Sequence, residues 1–258
     1  MTRFAICCLL LAPMISQAQL ATPPLAYDHI READIFWKKR ICRVIDTRWK
    51  LNLPFAYPKE SLAELLMNAV EEDALRAYDP AYGDDFAKVM SYEQIIQLFR
   101  RIDTEWVWNP EDPSEMIPVP VPRTIDPLSI TKFRIKEEWI FDRERSEMVV
   151  RVLGIAPVRE VIDPNTGEIR GESIMFWIYY PEARPFLASH YAFNPNNDKV
   201  KLSWETVFEM RFFDSYIVKE DNVYDREIQT YATDIDAVLE AERIKMALFR
   251  FEHELWHY

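Results

Sequence analysis

The chain has 258 residues, of which 49% are hydrophobic and 29% are charged, and its formal net charge is −12. This length accommodates one large domain or two small ones, and the apolar content supports a buried core, which excludes a disordered chain. The acidic balance excludes nucleic acid and anionic lipid surfaces as the main partners.

The first residues have the order of parts that is typical of a secretory signal. Arg3 is followed by an apolar run over residues 4–15 and by the small-residue ending SQA. The run is too short to span a membrane, and no later stretch is long enough. We expect cleavage after Ala18, which leaves 30 basic against 43 acidic residues, or a net charge of −13. The expected organisation is a signal peptide over 1–18 and one domain over 19–258.

Cleavage of the signal leaves Cys42 as the only cysteine. Cys7 and Cys8 lie inside the apolar run with no lipobox before them, so lipid attachment is not expected. An internal disulfide is then excluded, and two interpretations of Cys42 stay open: an intermolecular bridge in an oxidising compartment, or a buried thiol. The buried thiol is favoured, because free cysteine is among the most buried residue types.

A helical half is predicted over residues 28–107. Apolar residues at helical spacing predict its first helix over 28–49. The apolar stripe of that helix is Ala33, Trp37, Ile41, Val44 and Ile45. Capping boxes predict a second helix from Ser61, with Glu64, and a third from Ser91, with Gln94. The buried stripe of the third helix is expected to be Ile95, Leu98, Phe99 and Ile102.

A proline-rich segment separates this half from the rest of the chain. Six prolines lie between residues 110 and 127, and Pro118, Pro120 and Pro122 alternate with other residues. Proline removes a backbone donor, so the segment can be neither helix nor central strand. We expect an extended connector over 108–128. A rigid loop is favoured over a strap that docks a proline-recognising partner.

The clearest strand patterns lie in residues 130–180, where period-two alternation predicts two strands joined by a polar turn over 142–146. The sequence DPNTG at 163–167 is typical of a chain reversal, and an apolar strand returns over 174–180. Both faces of that strand are apolar, so helices or a partner must cover them. The half over 129–258 is therefore predicted to contain an antiparallel meander sheet packed with N-terminal and C-terminal helices, an α+β fold.

Beyond the meander, Pro181 and Pro185 are expected to break regular structure, and residues 194–198 are expected to form a turn. Ser203 is expected to cap a further helix, whereas residues 216–231 are predicted to be irregular. The apolar residues of the helix after Ser203 are Val207, Phe208, Met210, Phe212 and Phe213.

The last helix is predicted to begin at Thr233, with Asp236 at its third position, and to carry two apolar stripes. The first stripe is Ile235, Val238, Leu239, Met246, Phe249 and Trp256. The second is Ala241, Ile244, Leu248, Phe251 and Leu255. One stripe is expected to meet the sheet, and an apolar remainder usually marks an interface. The candidate partner interface is Ile244, Leu248, Phe251 and Leu255, unless the helices of the N-terminal half bury all apolar faces within the chain.

Catalytic motifs are nearly absent. Four glycines exclude a P-loop, a dinucleotide fingerprint and a nucleophile elbow, so we expect no cofactor. The sequence HELWH at 253–257 matches H-E-x-x-H, in which His253 and His257 would bind zinc and Glu254 would act as general base. No third ligand follows before Tyr258, and the last turn of a helix frays. We therefore expect no metal site, and a periplasmic zinc-dependent hydrolase is the alternative function.

Several segments together resemble the gliding-motility GldN and PorN proteins of the type IX secretion system. They are IFWKKR at 35–40, RVID at 43–46, RIKEEW at 134–139, RVLGIAPV at 151–158, FWIYYPE at 176–182, SYIVKE at 215–220, EAERIK at 240–245 and FEHELW at 251–256. The resemblance covers nearly all of the chain after the predicted signal. It offers no catalytic residue to carry over, and the family pattern does not require His257.

The resemblance implies a non-enzymatic structural subunit in the periplasm. Its expected partners are an outer-membrane lipoprotein of the same system, similar to PorK and GldK, and the periplasmic part of an inner-membrane motor protein, similar to PorM and GldM. With the lipoprotein it is expected to form a large ring, associated in this way with the outer membrane. Neither a nucleic-acid partner nor a membrane span is expected.

Overall fold

The computed structural model describes residues 24–108, 116–163, 166–167, 169–195 and 201–255, and it confirms the α+β class. The strands are β1 (Ile35–Asp46), β2 (Ala77–Tyr78), β3 (Arg100–Trp108), β4 (Met116–Thr124), β5 (Lys132–Asp142), β6 (Glu147–Ile162), β7 (Ile169–Ile174), β8 (Trp177–Tyr179), β9 (Tyr191–Ala192), β10 (Leu202–Ser203) and β11 (Tyr216–Glu220). The helices are α1 (Leu62–Glu71), α2 (Tyr92–Phe99), α3 (Tyr180–Ser189), α4 (Trp204–Glu209) and α5 (Asp234–Leu255). The main sheet has the order β11-β1-β5-β6-β8-β2, with β7 also paired to β6.

The first strand corrects the prediction of a helix over 28–49. β1 pairs antiparallel with β11 on one side and with β5 on the other. Ile41, Val44 and Ile45 are fully buried because both faces of β1 are covered, and such a strand loses the apolar and polar alternation that identifies strands. Helical spacing and a doubly buried strand are then indistinguishable by pattern. β1 also places part of the predicted helical half inside the sheet, between β11 and β5.

The predicted meander is confirmed in its first two strands. β5 and β6 pair from Lys132↔Val158 to Asp142↔Glu147, with one register shift after Lys136. The predicted reversal after β6 is also present, since Gly167 adopts φ 71 and its N–H donates to the carbonyl oxygen of Asp163 at 2.9 Å. Two residues of that turn, 164 and 165, lie outside the described residues.

The predicted strand over 174–180 is shorter than expected and is covered within the chain. β7 ends at Ile174, β8 spans only Trp177–Tyr179, and α3 begins at Tyr180. Pro181 lies in the first turn of α3, where no intrahelical N–H is needed, and Pro185 lies farther along the helix. The prediction that these prolines break regular structure was wrong. Both faces of the returning segment are buried, so no partner is needed to cover it.

The two predicted helix starts in the N-terminal half are confirmed. Ser61 Oγ accepts a hydrogen bond from the Glu64 N–H at 3.1 Å, and Ser91 and Gln94 form a complete capping box. However, α2 ends at Phe99, so Ile102 belongs to β3 and not to the helical stripe. A helix cap needs only hydrogen bonds between residues a few positions apart, which is why a short sequence motif predicts helix starts well.

The proline-rich segment is not a loop but half of a hairpin. β3 and β4 form a separate two-stranded sheet with a continuous register from Arg100↔Thr124 to Trp108↔Met116. Alternate residues of a strand direct their N–H groups to the same edge. The prolines at 118, 120 and 122 therefore remove donors from one edge only, the edge that faces away from β3. Residues 109–115, between the strands, lie outside the described residues.

The C-terminal half is more regular than the sequence indicates. Ser203 caps α4 as predicted, its Oγ accepting from the Thr206 N–H at 3.1 Å, but α4 ends at Glu209. Phe212 and Phe213 therefore lie beyond it. The stretch predicted to be irregular contains β11 and a 3-10 turn, Ile228–Thr230. β11 is a short edge strand with a register shift against β1, so its alternation is broken. Of the turn predicted over 194–198, the last three residues lie outside the described residues.

One face of the sheet carries two apolar cores separated by a polar layer. The larger core lies under α1 to α4 and includes the fully buried Trp204 and Tyr180. The smaller core lies under α5. Its buried members are Ile41, Ile217, Ile228, Ile244 and Leu248. Arg43 on β1 and Glu137 on β5 lie between the cores. On each of these strands, the next residue of the same face belongs to the smaller core in one direction and to the larger core in the other.

The opposite face of the sheet is covered by a loop rather than by helices. Phe86 packs its ring over Gly154 of β6, and a Cβ added to that glycine would clash with the ring. The ring also contacts Trp177 and Tyr179, at centroid distances of 6.1 and 5.2 Å. Phe86 adopts φ 55, a left-handed conformation that is rare for a bulky residue. Gly154 thus makes room for the loop that closes this face.

Candidate interaction surfaces

The residues that the sequence indicates as a docking surface face the protein's own sheet. Ile244 and Leu248 are 2% and 7% exposed, within the smaller core. The ring of Phe251 packs against Trp37 of β1 at a centroid distance of 4.8 Å, and Leu255 on the same stripe is only half-buried. This stripe therefore anchors α5 to the sheet and is already occupied. The expectation that one stripe meets the sheet is confirmed, and the candidate docking surface moves to the other stripe.

The other stripe of α5, which we name the outer stripe, faces solvent. Each of its described residues is between 47% and 74% exposed. They are Ile235, Val238, Leu239, Met246 and Phe249. Exposed apolar residues that share one helix face are typical of a helix that docks into a groove. The sequence predicts both stripes, but their periodicity does not tell which one is buried.

A second exposed apolar patch lies at the end of the hairpin. Val107, Trp108 and Met116 are all more than 40% exposed, and Trp108 pairs directly with Met116. Aromatic residues are enriched at protein interfaces because they bury a large area at a small entropic cost. The sequence prediction of a loop misses this patch, since only strand pairing brings the two residues together.

Cys42 is a buried thiol, but it lies on a strand rather than on a helix. Its residue surface is 5% exposed, and its Sγ lies 3.7 Å from Asp84 Oδ2. Burial first, and the Asp84 charge second, raise the pKa of Cys42 to about 12. The thiolate is the reactive form of cysteine, so the folded protein holds this side chain in its unreactive state. An intermolecular bridge through Cys42 would need the covering loop to open.

We expect Cys42 to react with a thiol reagent such as DTNB only after unfolding. Raising the pKa from 9.0 to about 12 lowers the thiolate fraction at neutral pH by roughly a thousandfold, before any steric protection. The measurement compares the reaction rate of the purified protein with and without denaturant. A covalent dimer on a non-reducing gel, lost in a Cys42→Ser variant, would contradict this expectation.

The loop over Cys42 is held by a cluster of charges. Lys136 Nζ lies 3.1 Å from Asp84 Oδ1 and 2.9 Å from Asp85 Oδ1, and Lys219 Nζ lies 3.4 Å from Asp84 Oδ2. Lys136 also donates to the Asp84 carbonyl oxygen at 2.7 Å. Burial acts to raise the pKa of Asp84, but Lys136 and Lys219 outweigh it and hold the pKa below its ordinary 3.8.

The Asp84 cluster predicts a loss of stability in acid. A carboxylate with a lowered pKa stabilises the folded state fully above its unfolded pKa, and this contribution disappears as the pH falls through the folded pKa. Asp84→Asn should therefore destabilise the protein at pH 7, and the difference from the unaltered protein should shrink below about pH 4. Urea unfolding at several pH values tests this. A difference independent of pH would assign the effect to packing.

The H-E-x-x-H motif gains no support from the described residues. His253 and Glu254 lie in the last turn of α5, whereas His257 lies outside the described part of the chain. Among the described residues, no group of three or more His, Cys, Asp or Glu side chains has the arrangement of a metal site. None of the described helices is long and apolar enough to cross a membrane.

A family model described as gliding motility associated protein GldN matches residues 30–257 of the chain. The match spans β1 to α5 and so includes both apolar cores, the hairpin and the outer stripe. No curated protein matches the chain significantly.

Proposed function

This chain belongs to the GldN family of gliding motility and type IX secretion, and we propose that it is a structural, non-enzymatic subunit of that machinery in the periplasm. Residues 1–18 act as the export signal and are removed. The mature protein forms a ring with an outer-membrane lipoprotein similar to PorK and GldK, and contacts the periplasmic part of a motor protein similar to PorM and GldM.

The observation that carries this proposal is the outer stripe. An isolated soluble protein rarely leaves five large apolar residues exposed on one face of a helix, because their exposure costs solvation free energy. Phe249 and Ile235, at opposite ends of the stripe, are 63% and 74% exposed. The stripe of α5 that packs on the sheet already fixes the helix in place, so the outer stripe is free to receive a partner.

The test introduces charge into the outer stripe. A double variant, Leu239→Glu with Phe249→Glu, should fold normally, since exposed substitutions change stability by only about 0.5 kcal/mol each. It should no longer co-purify with the lipoprotein from the native envelope, and secretion should fail. Val223→Glu is the control, because Val223 is 97% exposed and belongs to the loop after β11 rather than to α5.

The outcome separates the family's role from the surface that serves it. If the double variant still co-purifies with the lipoprotein, the outer stripe is not the docking surface, and the hairpin patch at Trp108 becomes the next site to alter. If the unaltered protein itself brings down neither the lipoprotein nor the motor protein, the proposed assembly is wrong. Circular dichroism of each variant confirms that a lost complex does not reflect unfolding.

A further inference from the structure

A cleft lies between the edge strand β11 and the N-terminal half of α5. Its volume is about 900 Å³, which is within the range of sites that bind ligands or peptide segments. Ile217 and Ile228 form its apolar floor, and the small side chains of Ala237 and Ala241 leave room along the helix. The charged residues of its lining are the basic Arg43 and Lys245 and the acidic Asp214, Asp234 and Glu242. The outer stripe points away from the sheet, so this cleft is a separate surface that shares only Val238 with it.

Arg43 lines the same cleft, and its guanidinium is held by a serine rather than by a directly bonded carboxylate. It is 9% exposed, and its Nε and Nη2 donate to Ser215 Oγ at 2.8 Å and to the Ser215 carbonyl oxygen at 3.2 Å. Within the described residues, no carboxylate forms an ion pair with it. Burial lowers the pKa of Arg43, and the nearby Glu137 only partly opposes this. Glu137 forms its own ion pair with Arg211, at 2.8 Å. A buried guanidinium without a carboxylate partner is costly and suits an anionic ligand.

The strand beside the cleft has a free edge. Among the described strands, β11 is the terminal one of the sheet and pairs only with β1. Tyr216, Ile217 and Val218 of β11 all line the cleft. An exposed edge strand next to a helix is a common acceptor for an extended peptide, because the peptide adds its backbone to the sheet and places alternate side chains in the groove.

We propose that the cleft binds an extended segment of a partner protein, which pairs with the edge of β11 and places an acidic side chain against Arg43. Residues on either side of that acidic position are small or apolar, to match the isoleucine floor and the alanines of α5. An acyl chain with a carboxylate would also satisfy Arg43, but it would leave the backbone groups of β11 unpaired. The proposal rests only on the cleft of this chain, so it holds whether or not the protein assembles into a ring.

The experiment selects ligands without assuming the partner. A phage library of random decapeptides is selected on the full-length mature protein, and clones that also bind an Arg43→Gln variant are removed. We expect the surviving peptides to share one Asp or Glu flanked by apolar residues at alternate positions. In the best synthetic peptide, replacing that acid by its amide should weaken binding by about tenfold or more, as should Arg43→Gln in the protein, with partial rescue by Arg43→Lys.

The position of binding is checked independently. The best peptide should shift the backbone amide NMR signals of β11, and Ala241→Leu, which fills the cleft without altering Arg43, should weaken binding similarly. If Arg43→Gln does not fold, Ala241→Leu takes its place as the variant that tests whether binding needs the cleft. The proposal is overturned if no clone depends on Arg43 or on the open cleft, or if the amide shifts lie elsewhere. It is equally overturned if dodecanoate binds in an Arg43-dependent way while no peptide is selected.

Discussion

Aspartate in place of Ile244 is expected to lower the free energy of unfolding by about 4 kcal/mol or more, enough to unfold much of the protein. Ile244 is 2% exposed in the core between α5 and the sheet. The substitution removes its packing and buries a carboxylate with no cationic partner, and both changes are costly. Urea unfolding followed by circular dichroism measures the loss.

The same substitution at Ile235 is the matched control. Ile235 lies on the outer stripe of the same helix and is 74% exposed, so Ile235→Asp should change stability by only about 0.5 kcal/mol. The pair of variants determines which stripe of α5 is core. If Ile235→Asp unfolds the protein and Ile244→Asp does not, the helix is rotated relative to the sheet, and the outer stripe is not available to a partner.

Removing the charge of Arg211 is expected to destabilise the protein by about 3–5 kcal/mol, because it leaves Glu137 as an unpaired buried carboxylate. Glu137 is 0% exposed, and Arg211 Nη1 lies 2.8 Å from its Oε1. The other oxygen accepts from Trp139 Nε1 at 3.1 Å. Arg211→Met retains most of the side-chain volume, so its effect reports mainly on charge. Unfolding in urea at neutral pH gives the loss directly.

A double variant separates the ion pair from the packing around it. Glu137→Leu combined with Arg211→Met replaces the buried pair with apolar side chains and should recover most of the stability lost in Arg211→Met alone. The polar layer between the two cores would then serve specificity rather than stability. A loss of less than about 1 kcal/mol in Arg211→Met would mean that water reaches Glu137.

The elements that the sequence predicts well are those set by short-range bonds. Ser61, Ser91 and Ser203 each cap a helix where their sequence predicts one, since the capping hydrogen bond joins residues three positions apart. The turns of the meander are correct for the same reason. β1 was predicted wrongly because its identity depends on β5 and β11, which lie about a hundred or more residues later in the chain. No local pattern contains that information.

The candidate sites show the same limit. Two apolar stripes on α5 are evident from the sequence, but only the position of the sheet determines that Ile244 is core and Phe249 is exposed. The sequence did not indicate Arg43 as a candidate site residue. It lies among apolar residues in the sequence, and only the placement of β5 and β11 beside it shows that no carboxylate of the described residues pairs with it. The burial of the Cys42 thiol was predicted correctly, but Cys42 was expected on a helix and lies on a strand.

The alternating prolines of β4 affect whether copies of the protein aggregate at high concentration. Fibrils grow when the open edge of one strand supplies N–H groups to the carbonyl oxygens of another. Along the middle of the outer edge of β4 the prolines at 118, 120 and 122 leave only acceptors. Two such edges that meet have no donor to share, so stacking of hairpins through β4 is blocked by chemistry rather than by shape. Copies of this protein brought to high local density would therefore not seed aggregation along that edge, although Trp108 and Met116 of the hairpin are exposed.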